Sequence, residues 1–89
     1  MNTATIRRQA PTRNTHILLV PKKHFRDMHE GAQDPALLGD ILARSASIAR
    51  DRGIPEYRLV SNTGANAGQA VFHLHFHVLG GRRMGWPPG

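Results

Sequence analysis

Val71-Phe72-His73-Leu74-His75-Phe76-His77-Val78-Leu79 places apolar residues on its even positions and histidine on three successive odd ones. Alternation with period two over a run rich in Phe, Val and Leu predicts a half-buried β-strand. On such a strand Phe72, Leu74, Phe76 and Val78 share one side. His73, His75 and His77 share the other, with successive Cα atoms roughly 6.5–7 Å apart at about 3.3 Å rise per residue. Three imidazoles in a row, backed by an apolar face, make a candidate site.

Working outward, 61–69 (Ser-Asn-Thr-Gly-Ala-Asn-Ala-Gly-Gln) is a loop dense in Asn and Gly that feeds the histidine stretch. Tyr57-Arg58-Leu59-Val60 before it reads as a strand, and a loop of this length predicts antiparallel neighbours. Further back lies the clearest helix. Asp34 can cap it, Pro35 suits the first helical position, and Leu37, Leu38, Ile41, Leu42, Ser45, Ile48 and Ala49 form one stripe. Arg50 and Arg52 complement the dipole at its end, Gly53 stops it, and Arg44 is expected on its solvated side. His16-Ile17-Leu18-Leu19-Val20, stopped by Pro21, predicts a buried strand. A short strand is expected over 3–7 and a loop over 9–14. After Gly80-Gly81 the tail Met84-Gly85-Trp86-Pro87-Pro88-Gly89 is irregular. The expected fold class is α+β: one domain over 1–89, an antiparallel sheet with one long helix packed on its apolar face.

With 89 residues the chain buries a thin core, so association with a second copy would help it. It has no cysteine, which excludes disulfides, thiolate metal sites and thiol chemistry. No apolar run reaches the ~18–20 residues of a membrane span, and residues 1–8 lack the apolar core of a signal peptide, so a cytoplasmic protein with no membrane partner is expected. The net charge of +6 is scattered as pairs, Arg7-Arg8, Lys22-Lys23 and Arg82-Arg83. That pattern fits a solvated basic surface best, and read functionally it would attract a nucleotide as readily as RNA.

Three histidines on one face support two chemistries, a zinc site built on neutral imidazoles or nucleophilic catalysis in which one ring attacks and its neighbours orient it. A hydrated face without function is the bland alternative. The loop favours catalysis on a phosphate: Asn62, Gln69 and the loop amides can cradle an anion, and no Asp or Glu in 61–79 could back a metal-bound histidine.

The stretch from Gln69 to Arg82 resembles the signature of the histidine triad family, His-φ-His-φ-His-φ-φ with φ apolar. Thr15-His16-Ile17-Leu18-Leu19-Val20-Pro21-Lys22-Lys23-His24 resembles its central strand, and Trp86-Pro87-Pro88-Gly89 the tail of its nucleoside phosphoramidate hydrolase branch. The resemblance implies a hydrolase or nucleotidyl transferase acting on purine nucleoside 5′-monophosphate derivatives without a cofactor or metal. His75 would attack phosphorus and carry a nucleotidyl intermediate, and His73 would orient His75 in contact with His16. His77 and Asn62 would hold phosphate oxygens, with Gln69 and the loop amides around Gly68 and Ala70 near the leaving group. His24 would lie near the site or merely follow its strand, and His29 would be solvated. The resemblance also implies a homodimer whose tail, anchored by Trp86, reaches the partner's site. Rival readings are a dinucleoside polyphosphate or other nucleotide-conjugate hydrolase, and a non-catalytic nucleotide- or zinc-binding module.

Two departures from the family pattern stand out. The chain is expected to lack the family's N-terminal helix and first strand or strands. Arg8 aligns with the usual acidic contact to the ribose hydroxyls, and an arginine cannot accept their hydrogen bonds. Ala70 stands where the family usually places a hydroxyl residue against the leaving group, which implies a weakened enzyme.

Overall fold

The computed structural model describes residues 3–9 and 15–89. Four antiparallel strands form one sheet in the order β1-β2-β4-β3, with β1 at Thr3–Gln9, β2 at Thr15–Pro21, β3 at Tyr57–Val60 and β4 at Phe76–Gly80. The helix α2 spans Pro35–Asp51 and is preceded by the single turn α1, Met28–Gly31. Of the expected 9–14 loop, Gln9 belongs to β1 and residues 10–14 lie outside the described residues.

The two central strands carry the core. Opposite residues of an antiparallel pair share a face, and the register sets Leu19 against Phe76 and Ile17 against Val78. These four, with Leu74 and Phe25, pack on Leu37 and Ile41 of α2. Each such side chain contributes roughly 1.5–3 kcal/mol by leaving water. Asp34 caps α2 by accepting from the Leu37 amide at 3.2 Å, with Pro35 in the first turn as expected. The buried stripe is Leu37, Ile41, Ser45 and Ala49, whereas Leu42 is exposed, and Arg44 pairs with Asp40 at 3.1 Å. The turn α1 carries no sequence period because four residues are too few to show one; Asp27 starts it by accepting from the Glu30 amide.

The second face of the sheet positions the site. In the register His16 stands opposite Leu79, and Leu18 opposite His77, which faces Val60 on its other side. His16 and His77 are therefore diagonal neighbours on the face away from the core.

One expectation is corrected here. The strand predicted over 71–79 begins only at Phe76. Leu74 donates its amide to Phe25 O at 2.6 Å, a carbonyl beyond the end of β2, rather than to a strand neighbour. Leu74, Phe76 and Val78 keep the buried side of the alternation, but Phe72 and Val71 are exposed, and Phe72 lies under the Arg26 guanidinium at 4.6 Å.

Candidate active site

The site is built where β4 begins. His75 points its Nδ1 at its own backbone two residues back, 2.7 Å from His73 O. A carbonyl can only accept, so Nδ1 carries the proton and Nε2 keeps its lone pair. That tautomer makes Nε2 a base or nucleophile. His75 and His77 meet edge to face, ring centroids 5.0 Å apart. Behind them His77 Nδ1 lies 2.7 Å from His16 Nε2, so one proton is shared between two rings that sit diagonally across β4 and β2.

His73 turns elsewhere. Its Nε2 donates to Pro21 O at 3.0 Å, and its ring packs on His24, centroids 4.8 Å apart. Two expected contacts are thereby corrected. His16 meets His77 rather than His73, because Leu18, not His16, is level with His77 and the diagonal brings His16 to the next ring on that face. The contact between His73 and His75 runs through the His73 carbonyl rather than its imidazole. The three rings of the motif do not close on one point. Among the described residues no three His, Asp or Glu side chains converge as a metal ion would need.

The loop from Ser61 to Gln69 holds itself together. Gly64 and Gly68 have φ of +90° and +94°, a region costly for any residue with a Cβ, and a short 3-10 turn, Ala65–Ala67, lies between them. Three of its amides donate to its own carbonyls: Ala67 and Gln69 to Gly64 O, and Gly68 to Ala65 O. Asn62 Nδ2 donates to Ala67 O at 2.6 Å. Gln69 is buried, 4% exposed, and every polar atom of its side chain is used. Oε1 accepts from the Gly64 amide at 2.8 Å, and Nε2 donates to Arg26 O at 2.8 Å and to Val71 O at 3.2 Å. The Gln69 side chain and the Ala67, Gly68 and Gln69 amides are spent on internal hydrogen bonds rather than turned outward. Ala70, next along, is exposed.

Trp86 is 82% exposed; its ring stacks with Arg58 of β3 at 5.7 Å, and the same guanidinium donates to Gly85 O. His29 is exposed on α1. Arg8 stands level with His16 in the β1–β2 register. Sequence reasoning missed the carbonyls of Pro21 and Phe25, since a backbone acceptor leaves no mark on residue type.

An α+β domain with a histidine cluster at the head of a central strand defines a narrow class. Residues 2–84 match the HIT domain, and the chain belongs to the HIT, or histidine triad, family. An uncharacterised HIT-like protein of Synechocystis is 49% identical over 83 residues, spanning 91% of this chain and 70% of the relative. The crystal structure of a HIT family hydrolase from Legionella pneumophila is 44% identical and superimposes with a TM-score of 0.87, covering 99% of this chain and 81% of the other. A histidine triad protein from Clostridium difficile, 29% identical, gives 0.85 over 94% of this chain and 76% of its own.

Proposed function

We propose that this protein hydrolyses purine nucleoside 5′-phosphoramidates, with His75 as the nucleophile. The observation that supports this most directly is the 2.7 Å contact from His75 Nδ1 to the His73 carbonyl, which leaves Nε2 as the free lone pair. Resemblance to the HIT family hydrolase of Legionella pneumophila supports the reaction class.

In the first step Nε2 attacks the α-phosphorus, a P–N bond to His75 forms, and the P–N bond to the amine breaks. The N–H at His77 Nε2 first holds a phosphoryl oxygen and, as the bond breaks, passes its proton to the departing nitrogen, with His16 2.7 Å from His77 Nδ1 sharing the change of charge. In the second step water gives a proton back to His77 and attacks phosphorus, breaking the bond to Nε2 and releasing nucleoside monophosphate. Asn62 joins His77 at the phosphate oxygens. His16, His73, His75 and His77 make up the catalytic set, with His73 acting through its carbonyl. The protein works as a homodimer, with Trp86 covering the partner's site; its 82% exposure in one copy supports that placement.

Single-turnover mixing with an adenosine phosphoramidate tests the reading. A burst of amine with nucleotide held on the wild-type protein, its absence in His75→Ala and indifference to a chelator are expected. Equal rates in the two proteins would exclude His75 as nucleophile, and loss of activity with chelator would favour a metal mechanism.

A further inference from the structure

We propose that His24 is a positioning residue for His75, acting with Phe25 to hold the two peptide units on either side of the His73 Cα. Following the hydrogen bonds outward from His75 leads there. Its Nδ1 meets the carbonyl of the His73–Leu74 peptide, and the N–H of that same peptide donates to Phe25 O at 2.6 Å. The peptide before it, Phe72–His73, gives its carbonyl to His24 Nε2 at 3.2 Å. The dipeptide His24-Phe25 thus grips one peptide by its oxygen and the next by its nitrogen.

The grip substitutes for a sheet. Residues 69–75 belong to no strand, so no ladder fixes the direction in which the His73 carbonyl points. A peptide plane free to rotate would let the His75 ring take the other tautomer, with its proton on Nε2 and no lone pair for attack. The stretch from Pro21 to Arg26 supplies the missing constraints: Pro21 O to His73 Nε2, the His24 ring against the His73 ring, and Arg26 O to Gln69 Nε2. Phe25, 7% exposed, anchors this stretch in the core. His24 itself is exposed, so its ring is kept by what it holds rather than by burial. Because Phe72 O can only accept, the role needs an N–H at His24 Nε2, and the amide of a glutamine can present one at nearly the same reach.

The inference rests on His75 as the attacking residue, and its test separates the two. In protein with ¹⁵N-labelled histidines, wild type should show His75 as a single Nδ1–H tautomer, and His24→Ala should show a mixture. With phosphoramidate, His24→Ala should lose about tenfold or more in kcat, the scale of a misplaced reacting group, with KM nearly unchanged. His24→Gln should restore both the tautomer and the rate. A His24→Ala spectrum and kcat matching wild type would overturn the proposal, as would a glutamine variant no better than alanine. Failure of the wild type to turn over any phosphoramidate would instead count against the proposed reaction, while the tautomer of the free protein still decides the role of His24.

Discussion

Replacing Gln69 separates a loop clamp from a leaving-group contact. Its side chain satisfies one amide and two carbonyls in a nearly dry environment. Hydrogen bonds of this kind contribute about 0.5–1.5 kcal/mol each, so Gln69→Ala should cost about 1.5–4.5 kcal/mol. Small proteins hold about 5–15 kcal/mol in all, which makes the loss readily visible as a lower urea midpoint. Gln69→Glu sharpens the test. The carboxylate can still accept from Gly64 but turns oxygen towards the Arg26 and Val71 carbonyls, so it should be at least as damaging as alanine at neutral pH. Burial among acceptors raises a carboxyl's folded pKa above its unfolded value, and such a group destabilises increasingly as pH rises. The glutamate variant should therefore recover stability, relative to wild type, as the pH is lowered towards 4. A Gln69→Ala protein with the wild-type midpoint, whose rate falls more steeply for more basic leaving amines, would refute the clamp and make Gln69 a substrate contact.

Other expectations follow from single positions. Ala70→Ser should speed turnover of substrates with poor leaving groups, since one transition-state donor is worth up to ~10²–10³ in rate; unchanged kcat across a series of amines would show that this site works without it. Gly31→Ala would set a Cβ 2.6 Å from Leu74 Cδ2. Overpacking at about 1–3 kcal/mol outweighs the gain of about 1 kcal/mol from alanine in a helical turn, so the melting temperature should drop; a rise would mean that Leu74 yields freely.

The frame was legible because its signals are local and repeated. Asp34-Pro35 marks the start of α2, the run Ile17-Leu18-Leu19 reads as a buried strand, and Tyr57-Arg58-Leu59-Val60 reads as an antiparallel neighbour of the histidine strand. Leu42 was misplaced because its angular position lies at the rim of the stripe, where only the neighbouring sheet decides what is covered. The histidines announced themselves by type. Their pairing did not, since whether His16 meets His73 or His77 depends on a register that a one-residue slip would change.

The failure of the period-two rule between residues 71 and 75 is also what the proposed chemistry draws on. In a regular strand the carbonyl of one residue points sideways to the next strand, and the side chain two residues on stands roughly perpendicular to it. The contact from His75 Nδ1 to His73 O, at 2.7 Å, needs the chain to leave that geometry just before β4. Leaving it frees backbone groups that must be satisfied elsewhere, and the Phe25 carbonyl, the Gln69 amide and the His24 ring take them up. Alternating sequence therefore delivers the histidines to one side, while the break in the strand selects which nitrogen of His75 is free. A variant that extended β4 back through His73 would keep all three imidazoles and lose the tautomer that the proposed attack requires.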